Sequence, residues 1–87
     1  MKKNITYKAP QGKLLRIEAE IENSVIQNIK ITGDFFVHPE DDLLKLEQAL
    51  QGAEIDRVKE IIEDLVAENQ TEIVGFTPED LQQALKQ

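Results

Sequence analysis

His38 is the one histidine of the chain, and it stands beside Pro39-Glu40-Asp41-Asp42. An imidazole next to carboxylates can relay a proton, but general acid–base work needs a partner group within reach of the same reacting atom. No partner nucleophile accompanies His38, so a structural or solvated residue at a helix start is the stronger reading. Glu40-Asp41-Asp42 has the look of a metal-binding triplet, yet consecutive residues on a helix point in different directions. Acids in a first helical turn are favoured by the helix dipole, which explains the triplet better. Glu18, Glu20 and Glu22 share one face of an extended segment and form a carboxylate row; a solvated outer sheet face is again the stronger reading. Gly12 and Gly33 are isolated, and no G-x-x-x-x-G-K phosphate loop exists. With no cysteine there is no thiol nucleophile, thiolate metal site or disulfide framework.

The elements that must position these groups turn on Ile31-Thr32-Gly33-Asp34-Phe35-Phe36-Val37-His38-Pro39-Glu40. This stretch ends a run of alternating strands and opens the first amphipathic helix. Gly33 permits a backbone turn that a Cβ would resist, and Asp34 can bond a nearby amide. Pro39 suits the first helical position, where its missing N–H would lack a partner anyway. Phe35 and Phe36 face opposite ways in an extended segment, so one belongs in the core. The other lies either under a helix or in an interface, where aromatic residues are enriched.

Upstream, Ile5, Tyr7 and Ala9 alternate on one strand, and Leu15, Ile17, Ala19 and Ile21 on the next. Pro10-Gln11-Gly12 between them suits a three-residue hairpin loop, which sets Tyr7 opposite Leu15 and Ile5 opposite Ile17. A third strand over 25–32 puts Val25, Ile29 and Ile31 on one face. A two-residue Asn23-Ser24 loop would set Ile21 against Ile26 but Ile17 against Lys30, mixing the faces. A three-residue loop, Glu22-Asn23-Ser24, pairs Ile21 with Val25, Ile17 with Ile29 and Leu15 with Ile31, and is the expected register. It puts Arg16 between Thr6 and Lys30 on the outer face, with Lys8 diagonal. Like charges so placed are unfavourable unless compensated. Diagonal Glu18 is the simpler compensation; otherwise Lys8, Arg16 and Lys30 form a patch for an anionic partner.

Downstream the pattern is helical. Leu43, Leu46 and Leu50 recur at helical spacing, and Gly52 marks the stop. Asp56 is the expected cap of a second helix with the apolar stripe Val58, Ile61, Ile62, Leu65 and Val66. Residues 69–76 fit either a loop or a short extended piece. Thr77-Pro78-Glu79-Asp80 reads as a cap, a first-position Pro and a capping-box acid. Leu81, Ala84 and Leu85 dock the last helix. The expected architecture is α+β: a three-stranded antiparallel meander with about three helices packed on one face, forming a single domain over residues 1–87.

A domain of this size buries only roughly 60–65% of its unfolded surface, which leaves little room for a wide internal active site. The net charge of −7 is uneven: residues 1–33 hold six Lys/Arg against three Glu, and residues 34–87 hold four against fourteen acids. An acidic whole argues against nucleic acid, while a basic N-terminal part can still meet an anionic ligand or protein. No apolar run approaches the ~20 residues that cross a bilayer, and no signal-peptide core follows Met1-Lys2-Lys3-Asn4. The expectation is a cytoplasmic protein with no membrane partner.

Through Gly12-Lys13-Leu14-Leu15-Arg16-Ile17-Glu18-Ala19-Glu20-Ile21-Glu22-Asn23, Ile29-Lys30-Ile31-Thr32-Gly33-Asp34-Phe35-Phe36, the leucine helix ending at Gly52, and Gly75-Phe76-Thr77-Pro78-Glu79-Asp80-Leu81, the chain resembles the C-terminal accessory domain of lipoate–protein ligase. The ordered set covers essentially the whole sequence. Ser24 departs from it, since that family commonly has Gly there. The resemblance implies a fold similar to that of iron–sulfur scaffold and sulfur-acceptor proteins, whose chemistry needs cysteines that this chain lacks. It implies a large catalytic partner that binds lipoate and ATP, with Mg, makes lipoyl-adenylate and passes the lipoyl group to a lysine of an acceptor domain. The accessory domain, fused or separate, is needed for activation more than for transfer. A chain that starts with Met and holds this domain alone is similar to the separate-subunit arrangement, with no cofactor of its own.

On this reading Gly33, Asp34, Phe35 and Phe36, with the turn at Gly12 and Lys13, face the large subunit, and Lys13 is a candidate to approach a phosphate. Two other readings remain open: a free-standing adaptor that presents an acidic helical surface, and a small enzyme or sulfur carrier, which the missing cysteine disfavours. The three-residue register also places Ser24 in a left-handed conformation, where Gly is easier. Ser24→Gly is therefore expected to leave the melting temperature unchanged or raise it, and a clear drop would refute that register.

Overall fold

The alternation of apolar and polar residues in the first third of the chain builds a three-stranded antiparallel sheet, β1 (Lys2–Lys8), β2 (Leu14–Glu22) and β3 (Val25–Gly33), in the order β1-β2-β3. The structure, a computed structural model, describes residues 1–10 and 13–87. Ile5 lies opposite Ile17 and Tyr7 opposite Leu15, as a three-residue first loop requires. The turn expected at Gln11 and Gly12 lies outside the described residues.

The second hairpin differs from expectation. Glu22 pairs with Val25 and Ile21 with Ile26, leaving a two-residue Asn23-Ser24 loop with φ of 53° and 65°. Positive φ at both central residues is what a type I′ turn requires, and its twist matches that of the strands it joins. The register then shifts between Glu20 and Ile21, so that Glu20 opposes Asn28, Ala19 opposes Ile29 and Ile17 opposes Ile31. Gln27 is the extra residue of a β-bulge. It restores the apolar face that an unbulged two-residue hairpin would have mixed: Ile26, Ile29 and Ile31 are all buried, while Gln27 and Asn28 both face out. The expected pairs Ile21–Val25, Ile17–Ile29 and Leu15–Ile31 do not form. Nor does the like-charge contact drawn from them, because Arg16 lies between Thr6 and Thr32, and Lys30 lies opposite Glu18.

The helices cover the inner face of this sheet. α1 (Asp41–Leu50) buries Leu46 and Leu50 and half-buries Leu43. It begins two residues after Pro39, whose carbonyl accepts from the Asp42 amide, and the His38–Pro39 peptide is cis. Pro39 is thus outside the helix rather than its first residue. The chain passes Gly52, at φ 82°, and runs back along the free edge of β3. There the Gly52 amide donates to Ile26 O (2.7 Å), the Ile26 amide to Ala53 O (2.8 Å) and the Ile31 amide to Glu47 Oε2 (2.8 Å). A single 3-10 turn, Ile55–Arg57, precedes α2 (Val58–Asn69), so Asp56 lies inside that turn and makes no cap hydrogen bond. Its carboxylate instead lies 3.3 Å from Lys86 Nζ.

The segment that fits either a loop or an extended piece contains a short strand, β5 (Glu72–Val74), paired antiparallel with β4 (Phe36–His38) as a separate two-stranded ribbon. α3 (Pro78–Leu85) opens with the expected capping box: Thr77 Oγ1 accepts from the Asp80 amide, and Asp80 Oδ2 from the Thr77 amide. Leu15, Ile17, Ile26, Ile31, Leu46, Leu50, Val58, Ile62, Leu81 and Leu85 are the fully buried centre of the hydrophobic core, drawn from strands and all three helices. No helix is long and apolar enough to cross a membrane among the described residues.

Gly33 closes the sheet at φ 146°, where a Cβ would stand 2.1 Å from the Leu14 carbonyl oxygen. That oxygen also accepts from the Asp34 amide at 3.0 Å, so the backbones have no room to separate. Gly33→Ala is expected to destabilise the fold by about 1–3 kcal/mol, read as a lower urea midpoint; an unchanged midpoint would contradict this close approach.

Candidate functional site

Beyond Gly33 the two phenylalanines part company, as residues of an extended segment must. Phe35 turns inward and meets Phe76 edge to face, with ring centroids 5.0 Å apart and planes at 88°. Phe36 turns outward and is 77% exposed. The close packing behind it rests on a second glycine: Gly75, at φ 118°, lies where a Cβ would be 2.9 Å from that of Phe35.

The β4–β5 register places Val74, itself 51% exposed, directly across from Phe36. One step along, His38 lies opposite Glu72, and both are exposed. Between these pairs Val37 is buried and Ile73 half-buried on the inner side. The ribbon therefore shows an aromatic–aliphatic pair and a polar pair on one face and is anchored by its other face. Neither pair is a nucleophile with a base. What such a surface can do is bind, because burying one large apolar side chain is worth about 1.5–3 kcal/mol.

A buried carboxylate holds the ribbon in place. Asp42, in the first turn of α1, is 3% exposed and accepts a hydrogen bond from Thr71 Oγ1, the residue just before β5. The Thr71 hydroxyl draws the Asp42 carboxyl below its ordinary value, burial opposes the shift, and Lys45 and His38 add to it. Lys45 Nζ lies 3.4 Å from Asp42 Oδ1. Helix-dipole placement accounts for Asp41 but misses Asp42. The signal was the spacing 42-46-50, which puts Asp42 on the buried stripe with Leu46 and Leu50.

The other residues singled out from the sequence fall in two places. Lys13 is exposed at the entry to β2, and its carbonyl accepts from the Ala9 amide. Because the next carbonyl, that of Leu14, accepts from Asp34, Lys13 and the corner Gly33–Phe36 meet at one end of the sheet. Gly12 lies outside the described residues. Lys8, Arg16 and Lys30 all remain on the outer sheet face, with Lys8 diagonal to Arg16 and Lys30 across from Glu18. Glu20 lies between Lys2 and Asn28. Among the described residues no group of three or more His, Asp or Glu side chains is placed to hold a metal ion.

The profile of the family described as bacterial lipoate protein ligase C-terminus matches residues 3–85. Lipoate-protein ligase A subunit 2 of Thermoplasma acidophilum is 41% identical over 81 residues, which cover 92% of this chain and 83% of that relative. A solved chain from a study of an archaeal lipoylation system, a bi-partite lipoate protein ligase and its E2 lipoyl domain from Thermoplasma acidophilum, superposes with a TM-score of 0.82 at 35% identity, covering 98% of this chain and 94% of that one.

The lowered Asp42 titration fixes the sign of an acid effect. A carboxyl that titrates lower in the fold than its ordinary 3.8 stabilises the fold fully above that value. The contribution fades as pH falls through 3.8 toward the lower folded value. Asp42→Asn is expected to melt lower than wild type at pH 7, with the gap narrowing below pH 3.8. A gap that stays constant through that range would remove the carboxylate from this role.

Proposed function

The chain belongs to the family of bacterial lipoate protein ligase C-termini, and on that premise we propose that it is the accessory subunit of a two-component lipoate–protein ligase. The observation that carries the reading is its likeness, over most of both chains, to subunit 2 of such an enzyme. The geometry supports it: the exposed Phe36–Val74 pair on an anchored ribbon suits a docking role. The complex uses ATP and Mg to join lipoate to AMP, and then delivers the lipoyl group to a lysine of an acceptor domain. Those substrates belong to the large subunit.

This chain's own residues act by position. Lipoyl-adenylate is a mixed anhydride that water would destroy, so closing a small rigid body over the site protects it. Phe36 and Val74 supply the apolar contact, and Lys13, next to the Leu14 that bonds Asp34, can approach a phosphate from the sheet end. Lys8, Arg16 and Lys30 are a second candidate surface for anionic groups. The protein is proposed to be cytoplasmic, to form one domain, and to share its fold with iron–sulfur scaffold and sulfur-acceptor proteins.

The reading is tested by mixing the purified chain with a ligase large subunit and measuring ATP-dependent lipoylation of an acceptor domain, which should require both. Phe36→Ala should weaken the complex about tenfold or more, with an unchanged melting temperature, because the ring is solvent-exposed. Lys13→Ala should slow lipoyl-adenylate synthesis. If neither change alters complex formation or activation, the site is misplaced; a large subunit at full speed without this chain removes the function.

A further inference from the structure

The two edges of the sheet are treated differently. The β3 edge is closed by the Gly52–Glu54 segment and by Glu47 of α1. On the opposite edge, β1 bonds to β2 through its odd-numbered residues: the Met1 carbonyl accepts from Ile21, and the Ala9 amide donates to Lys13. The ladder alternates, so the amides and carbonyls of Lys2, Asn4, Thr6 and Lys8 point away from the sheet. Among the described residues no main-chain hydrogen bond reaches them from another element. A shallow groove lined by Lys3, Asn4, Ile5, Thr6 and Gln87 runs beside them.

We propose that this edge receives an extended segment of the ligase large subunit as a fourth strand, a proposal that rests on the functional reading above. Main-chain pairing supplies the affinity, and alternate side chains supply the specificity. On the inner side the added strand would meet Ile5 and Tyr7, which are only half-buried at the sheet margin. On the outer side it would meet Lys2 and Lys8, in a run from residue 1 to 17 that holds five Lys/Arg and no acid. The fitting segment therefore alternates apolar residues with acidic ones. A second copy of this chain fits poorly. The antiparallel self-pairing that engages all four outward residues sets Lys2 opposite Lys8, and like charges there repel. Lysines on an open edge also discourage indiscriminate pairing.

Proline at position 6 removes an outward amide and leaves the β1–β2 ladder untouched, a position that edge strands tolerate. With the wild-type chain and a ligase large subunit, hydrogen exchange of the Asn4 and Thr6 amides should slow at least about tenfold on complex formation. Thr6→Pro, shown by its melting curve to be folded, should weaken binding by about tenfold or more, and Lys8→Glu should weaken it most at low salt. Because the exchange measurement uses only the wild type, it decides the matter even if the proline variant fails to fold. A complex in which both amides exchange as in the free chain overturns the edge assignment and leaves the accessory-subunit reading intact. A wild-type chain that never binds the large subunit overturns both. A dimer in light scattering that Thr6→Pro abolishes would identify a second copy as the occupant and also overturn the proposal.

Discussion

The inner face of the sheet, Leu15, Ile17, Ala19 and Ile21 on β2 and Ile26, Ile29 and Ile31 on β3, is the surface on which every helix is built. Its continuity depends on one inserted residue. Without the bulge at Gln27, the tight Asn23-Ser24 turn would turn over the far half of β3 and expose Ile29 and Ile31. An apolar stripe that switches faces cannot be covered by helices from one side. The bulge therefore reconciles a turn with the twist the strands need and a face that the core needs.

From that face the structure extends by two anchored reversals. Gly33 brings the chain against the Leu14 carbonyl and directs it away from the sheet into β4. The Asp42–Thr71 hydrogen bond then joins α1 to the start of β5, parts of the chain separated by 29 residues. Between these fixed points the β4–β5 ribbon can hold Phe36 in water without collapse, because Val37, Phe35 and Phe76 are packed beneath it. An exposed aromatic ring loses little conformational freedom on docking when its backbone is already held, which is how a small domain can bind without a large interface.

Charge is divided along the same lines. The sheet end and β1 carry four of the eight lysines, Lys2, Lys3, Lys8 and Lys13, and the helices carry most of the acids. Cross-strand pairing places Lys30 by Glu18 and Lys2 by Glu20, so the outer sheet face is mixed rather than uniformly basic. Such a surface orients a partner by local complementarity more than by net attraction.

The sequence alone determined the α+β class, the first hairpin's register, the leucine face of α1, the apolar stripe of α2 and the capping box of α3. Each of these is a local pattern: alternation, helical periodicity or a cap formed within four residues. Resemblance in ordered motifs likewise pointed to the ligase family. The bulge was visible only as two successive polar residues, Gln27-Asn28, interrupting an alternation, and a tight turn outweighed the simpler register. The pairing of β4 with β5, the choice of Thr71 as the partner of Asp42 and the outward turn of Phe36 were decided by tertiary structure. Each depends on segments more than 25 residues apart in sequence meeting in space, and no local spacing encodes which side of an extended segment a distant strand will cover.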